Sequence, residues 1–558
     1  MENQRYSHII LGGGAAGCVL ASRLSAASRN RVLLVEAGMD TPPDTVPADI
    51  LDPYPLSYSN PQYRWPLLGH ALTAARSPAA PLLHGRVMGG GSSIMGMVML
   101  RGIPADYDGW AAQGAQGWAW QDVLPYFRSL ENDLDYSAHP LHGNEGATEI
   151  RRHAPEGWPN ITKGALRFAQ AQSLPLIEDM NADFRDGFGV IPIAGTPTRR
   201  ASAALSYLTE EVRRRPNLDI LANARAQSLI FEGRRAVGAH IELEGRQLSF
   251  HGEEIVLAMG ALLTPHFLLR QGIGDPALLQ QAGIDVRVAS PGVGKNLQNH
   301  AAVVIVAHLM RQAVQRHPQR NHNDAMFRYS SSLPGCPPSD MALMFGTRTS
   351  WHELARRVAH FSPVVMAPAS RGRVTLGAGD APLVEYNLLG DPRDEAKLVD
   401  GLARAGALLA SGEMAGLLGL SVGASKLGKA AAFNQRNWSN AIRAGVLAAA
   451  MDHVPGFGSM AMKSLAGQGD TLENLVTDPE RAREFIRKSV QPLAHHAGTC
   501  RMGPADDPHA VVDAAGRVHN AGNLRVADAS VMPFVPRANT NLPVLMLAEK
   551  LAAAMLAG

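Results

Sequence analysis

Residues 6 to 38, YSHIILGGGAAGCVLASRLSAASRNRVLLVEAG, leave this chain few folds to adopt. The apolar run 8–11 predicts a strand, 15–24 a helix, and 31–36 a second strand with valine and leucine at its centre. Gly12, Gly14 and Gly17 fall at the strand-to-helix turn in a GxGxxG spacing. Gly12 permits the tight turn, Gly14 lets main chain approach a pyrophosphate, and Gly17 lets the helix lie against the strand. The helix N-terminus then offers free N–H groups to phosphate. Glu36, which closes the second strand, is placed to bind ribose hydroxyls. The motif predicts dinucleotide binding without separating FAD from NAD. Its position at the start of a long chain favours FAD.

The 558 residues are enough for two or more domains around large cores. Lys plus Arg is 52 against 50 Asp plus Glu, a balance that gives no reason to expect nucleic acid as a partner. Cys18, Cys336 and Cys500 lie far apart with no CxxC pair, so neither a disulfide framework nor a zinc site is expected. No charged segment followed by an apolar one opens the chain, and AGVLAAAM at 444–451 is too short for a membrane span, so a cytoplasmic location is expected. The segments GCPPSD at 335–340 and RQAVQRHPQRNHND at 311–324 read as loops. The stretch 421–455 reads as helix-rich, and could be a lid, an oligomer contact or a surface insertion.

Further motifs follow in order. They are HGRVMGGGSSIMGMVMLRG (84–102), ADYDGW (105–110), VLPYF (123–127), PLHGNEG (140–146), and GALLTPHFLLRQGIG (260–274) after the strand-like EEIVLAMG. Next come PGVGKNLQNH (291–300), HHAGTCRMG (495–503), LRVADASVMP (524–533) and VPRANTNLPVLMLAEK (535–550). With the first turn, these resemble the glucose–methanol–choline (GMC) flavoprotein oxidoreductases from the first strand to the last helix. Within that family the chain is most similar to the bacterial oxidases of furanic alcohols. The resemblance implies an α/β fold in which a Rossmann-type FAD-binding domain (1–155, 203–305 and 490–558) interleaves with an α+β substrate domain (156–202 and 306–489), an antiparallel sheet flanked by helices.

It also implies which residues meet the cofactor. These are Gly12, Gly14, Ala15, Ala16, Gly17, Glu36 and Ala37 at the first turn, then Arg86, Met88, Gly90, Gly91, Ser92, Met95, Gly96 and Met97 in the second glycine loop. Ala226 follows in the middle of the chain, and Asp528, Ala529, Asn539 and Thr540 near its end. Some departures from the family matter. Met95 stands where Asn or His is usual, so a polar contact beside the flavin is lost. Ile94 occupies the position of the histidine that links FAD covalently in some relatives, so the FAD is expected to be non-covalent. Gln271 replaces a usual serine and Asn299 a usual aspartate.

Oxidising an alcohol to a carbonyl removes a proton from oxygen and a hydride from carbon, so a base must reach the hydroxyl. The family's base is the histidine of an H-x-x-G-T segment, which His495 matches; His496 is one residue out and reads as structural. Asn539, in NTNLP, matches the second catalytic position, and an asparagine there can hold and orient the substrate oxygen. Asn541 reads as the N-cap of the last helix, with Pro543 in its first turn and its N-terminus aimed at the flavin. Leu493 and Ala494 are expected to line the substrate pocket.

The resemblance therefore implies an FAD-dependent oxidase of aromatic or furanic primary alcohols and of hydrated aldehydes, with O2 as acceptor and hydrogen peroxide as product. A dehydrogenase of choline or another alcohol, passing electrons to a quinone or other carrier, is the alternative. A hydroxynitrile lyase, a light-driven decarboxylase and a non-catalytic flavin protein share the scaffold. The last two give the His495–Asn539 pair no purpose. Because Ala494 leaves a gap before the base, Ala494→Trp is expected to narrow the range of alcohols turned over, measured as kcat/KM across a series of increasing bulk.

Overall fold

A computed structural model describes residues 5–66, 70–73, 83–315, 322–377, 381–426, 432–467 and 470–557. Strand β1 (Arg5–Leu11), helix α1 (Ala15–Leu24) and strand β2 (Val32–Val35) form the expected βαβ start. β1 begins three residues earlier than 8, and β2 is shorter than 31–36 by one residue at each end. All four residues of β2, VLLV, are buried, as a parallel strand covered on both faces requires.

β1 and β2 belong to a sheet completed from distant parts of the chain. These are β3 (Leu218–Leu221), β4 (Ala224–Glu232), β5 (Arg235–Leu243), β6 (Arg246–Leu257) and β7 (Leu524–Val526). Parallel β3, β2, β1 and β6 lie in that order. β6 is 12 residues long, so beyond β1 on one edge it serves two partners on the other. Its start pairs antiparallel with β5, while Ile255–Leu257 at its end pairs parallel with β7. Helix α3 (Asn541–Ala557) packs on α1, and Arg23 holds Glu549 with two 2.8 Å bonds. Tyr207 donates to the same carboxylate at 2.8 Å. The two ends of the chain thus share one core.

The second sheet runs in the order Leu418–Gly423, Ile305–Leu309, Val358–Val365, Met341–Gly346, Ala325–Tyr329, Gly187–Val190, Leu176–Ile177, antiparallel except for the last pair. Period-two alternation sorts its side chains. Met341, Leu343 and Phe345 pack with Leu398 and Leu402 of the Pro392–Leu409 helix. Ala342, Met344, Val364 and Met366 join the core of the first sheet. Helices thus cover one face and the nucleotide-type unit the other.

The helix-rich reading of 421–455 needs correction at its start. Leu418–Gly423 is an edge strand on Ile305–Leu309, and among the described residues a 3-10 turn at Ala432–Asn434 precedes the α-helix that starts at Trp438. Residues 427–431 lie outside the described residues, as do 316–321 of the loop expected at 311–324. GCPPSD forms turns, as expected.

PLHGNEG carries a structural charge network. His142 Nδ1 lies 3.0 Å from both Glu131 and Asp133, and its Nε2 lies 2.6 Å from Asp179. Arg101 bonds Glu131, and Arg152 bonds Asp133 and Asp179. Glu131, Asp133 and His142 converge as metal ligands can. Three carboxylates against two guanidiniums, however, leave one negative charge, which a protonated His142 neutralises. Burial opposes that proton, but the hydrogen bonds His142 donates to Asp133, Asp179 and Glu131 overcome it and push the imidazole up to about 10. A raised folded pKa stabilises fully below the ordinary 6.5, and the gain is lost as pH rises through about 10. His142→Leu, which strands buried carboxylates, is expected to cost about 3–5 kcal/mol, read as a lower denaturation midpoint at pH 7 that approaches the wild type's above pH 10.

Candidate active site

The first glycine turn is built as the spacing requires. Gly12 has φ +110°, and a Cβ on it would stand 2.5 Å from the Ala258 carbonyl oxygen. A Cβ on Gly17 would stand 1.9 Å from the Gly12 carbonyl oxygen, so α1 can rest on the turn only through glycine. Gly14 differs, because its nearest protein atom would be 3.8 Å away. It flanks α1 with no side-chain cap, leaving the first amides of the helix for another partner. Glu36 accepts from Gly13 N and Gly38 N at 2.8 Å each, so main chain already holds the carboxylate at the cleft. Burial pushes its pKa up to about 7 despite those bonds.

The second glycine loop docks on the first. Gly89 N donates to Gly13 O at 2.7 Å, and a Cβ on Gly90 would lie 3.0 Å from Gly14 Cα. Between the loops and the end of β6 opens a cleft whose walls are largely glycine, alanine and other apolar residues, as small-ligand sites commonly are. Gly12, Gly14, Ala15, Ala16, Glu36, Ala37, Gly90, Gly91, Met95, Ala226, Ala494, Asp528 and Ala529 all line it.

Other residues expected at the cofactor stand behind the wall. Gly17 backs the turn, and Met88 fills the space under Gly13. Arg86 donates to Ala37 O at 3.1 Å and lies over Trp65. Ser92 donates to Gly89 O and accepts from Ala203 N. Gly96 abuts His322. Met97 is buried at φ +64° and its carbonyl accepts from Ala194 N. Thr540 O accepts from Val544 N at 2.9 Å, which closes the first turn of α3. Asn541 is the first residue of that helix rather than its cap, and its side chain turns to Met99 Sδ at 3.2 Å. Asp528 ties down the start of α2 (Gly260–Arg270), accepting from Gly260 N at 2.9 Å and Thr264 Oγ1 at 2.6 Å.

His495 sits on a ladder between two remote segments. Gln298 and Ala497 exchange main-chain bonds at 3.0 and 3.1 Å, and Leu493 N donates to His300 O at 3.1 Å. Asn299 Oδ1 grips the loop between, accepting from Leu493 N at 3.2 Å and His495 N at 3.1 Å. Ala494 there takes φ +59°, a left-handed conformation that costs an alanine of order 1 kcal/mol. That twist sends successive side chains to different walls: Ala494 and His496 border the cleft, and His495 turns to Asn539. His495 Nε2 is 3.0 Å from Asn539 Nδ2, and its Nδ1 is 2.9 Å from His300 Nδ1. Burial lowers its pKa to about 4, so it is neutral at ordinary pH. Asn539 Oδ1 is buried and unpartnered, a spare acceptor beside that imidazole. His496 stacks on Tyr386 and forms a short hydrogen bond with its hydroxyl.

The sequence reading gave His300 no role, although it ends PGVGKNLQNH; only the fold brings it to His495 across 195 residues. His84 and Met259 are further cleft residues it missed.

Family models described as GMC oxidoreductase match residues 6–302 and 368–548. The chain is 39% identical to 5-(hydroxymethyl)furfural oxidase of Methylovorus sp., over 100% of its own length and 99% of that protein's. It is 30% identical to oxygen-dependent choline dehydrogenase 1 of Chromohalobacter salexigens, over 99% and 95%. Crystalline pyridoxine 4-oxidase from Mesorbium loti superposes with a TM-score of 0.80 at 26% identity, covering 99% of this chain and all of that one. Among the described residues no helix is long and apolar enough to cross a membrane.

The two glycines predict opposite phenotypes. Gly14→Val meets no protein atom closely, so it is expected to fold with an unchanged circular dichroism spectrum yet to purify without flavin absorbance. Gly17→Val drives its side chain into the Gly12 carbonyl and is expected not to accumulate as soluble protein.

Proposed function

The chain belongs to the GMC oxidoreductase family, as a flavin-dependent alcohol oxidoreductase, and on that premise we propose that it oxidises aromatic and furanic primary alcohols, and hydrated aldehydes, with O2 as acceptor. The observation that carries this reading is the contact of buried His495 with half-buried Asn539 beside the glycine-walled cleft.

The cleft suits FAD by its own chemistry. The amides at the start of α1 meet no side chain, Gly14 and Gly90 leave room for a pyrophosphate, and Glu36 keeps acceptor capacity toward ribose. We assign 1–155, 203–305 and 490–558 to holding the cofactor, and 156–202 with 306–489 to covering the substrate. Ile94 carries no nucleophile, which supports non-covalent binding. When bound, the flavin supplies the hydride acceptor.

The chain's own residues do the rest. His495 is neutral and takes the hydroxyl proton at Nε2. The Asn539 amide positions the substrate oxygen, its N–H donating to that oxygen while its carbonyl oxygen remains an acceptor. Desolvation around the pair strengthens these bonds and keeps water from the reacting carbon. Ala494, presenting only a methyl group to the cleft, leaves room for a ring or a hydrated aldehyde next to the base. Alcohol oxidation releases two electrons and two protons, which O2 takes up as hydrogen peroxide.

The test is an anaerobic titration of the holoenzyme with 5-(hydroxymethyl)furfural or benzyl alcohol. Bleaching of the oxidised flavin band, then rapid recovery with peroxide on admitting air, is the expected result. Bleaching without recovery would make the enzyme a dehydrogenase, and no bleaching by either alcohol would overturn the substrate class. His495→Ala is expected to lower kcat about 10²–10⁴-fold. Because protonation disables the base, activity falls as pH drops through the His495 pKa, and the acid limb of kcat/KM is expected below 6.5, toward the value of about 4 that burial imposes.

A further inference from the structure

The two contacts of His495 determine which of its nitrogens carries the proton. Its Nε2 faces the Asn539 amide nitrogen, which can only donate, so Nε2 holds a lone pair. A neutral imidazole with a bare Nε2 carries its hydrogen on Nδ1. That Nδ1 faces His300 Nδ1 at 2.9 Å, and one of two nitrogens so close must be the acceptor. The acceptor is therefore His300, whose own hydrogen is on Nε2, a buried nitrogen that meets no hydrogen-bond partner among the described residues. Each assignment compels the next, from Asn539 to His300.

We propose that His300 is a positioning residue for the reaction, a neutral imidazole whose Nδ1 lone pair holds His495 in the one tautomer that presents a basic Nε2 to the substrate. The inference rests on the reading of His495 as base.

The surroundings fit this role. His300 is fully buried and its rings cross those of His495 edge to face, at 5.0 Å between centroids. Among the described residues no carboxylate contacts it, and burial together with His495 holds its pKa well below 6.5, so it stays an acceptor. A cationic His300 could not accept, and would repel the charge that develops on His495. When the substrate hydroxyl gives its proton to Nε2, the His495 Nδ1–H already points at the His300 lone pair. The imidazolium that forms then keeps a hydrogen bond in a dry site. His300 is fixed in turn by its main chain: its carbonyl accepts from Leu493 N, two residues before the base, so strand register and side-chain contact set the same geometry.

Two variants of the holoenzyme separate positioning from packing. His300→Leu keeps bulk but removes the acceptor; His300→Asn offers an amide oxygen near the place of Nδ1. His300→Leu is expected to lower kcat about 10–100-fold, the usual cost of losing the partner that orients a functional imidazole, with KM and flavin content little changed. His300→Asn is expected to recover most of that loss, and the acid limb of the pH profile is expected to move in the leucine variant alone. Wild-type kcat in His300→Leu would overturn the proposal, as would equal losses in both variants that track lost flavin. His495→Ala is measured alongside. If it retains turnover, the reading of His495 fails. If it loses turnover while His300→Leu does not, only the role of His300 fails.

Discussion

The hydrogen bond from Gly89 N to Gly13 O holds two turns, 76 residues apart, in contact at main-chain distance. Side chains on Gly13 or Gly90 would part them, since each Cβ would come within 3.0 Å of its neighbour. The remaining order follows from that closeness. The cleft floor is main chain, α1 opens onto it uncapped, and Met95 is carried to its rim. The cost of all that glycine in chain entropy is offset by packing elsewhere. β1, β2, the end of β6 and one face of α3 meet in a single buried core.

The interior treats its histidines in two ways. His300, His360 and His495 are buried and His84 and His322 half-buried, none with a carboxylate in contact among the described residues, and desolvation lowers each pKa. Each contributes stability that is complete above the ordinary 6.5 and falls as pH drops toward its folded value. His142, set among three carboxylates, is the opposite case and keeps its proton. Among the described residues, imidazoles held neutral by burial outnumber the charged one, which tilts the fold toward failure in acid rather than in base.

Local structure was the legible part. β1, α1 and β2 follow from apolar runs broken by glycine, and helix 15–24 is found over those residues. The turn residues that face the cleft were legible for the same reason: glycine at those positions serves close approach. Long-range placement was not. Nothing within Leu418–Gly423 reveals that it will pair with Ile305–Leu309, and as an edge strand its alternation is weak. Glu36 could be read as a ribose ligand, but its two main-chain donors depend on how the chain turns at Gly38. Met88 and Ser92 share a motif with cleft residues, yet their side chains are buried against the neighbouring chain. Asn541 missed its predicted cap because Met99, 442 residues away, takes its side chain. His300 could be quoted within a motif, but its partner is a fact of topology.

That topology governs how the molecule can be made. β7 and α3 come from the last 35 residues, yet β7 pairs with the end of β6 and α3 covers α1, which was synthesised first. A nascent chain on the ribosome therefore holds β1, α1 and β2 with an apolar flank bare until α3 has been made. Vectorial folding, domain by domain from the N-terminus, is denied to this protein, so its first strand waits for its last helix. Shortening the C-terminus by even a few turns would remove more than a tail, because it would leave the oldest part of the chain without a partner.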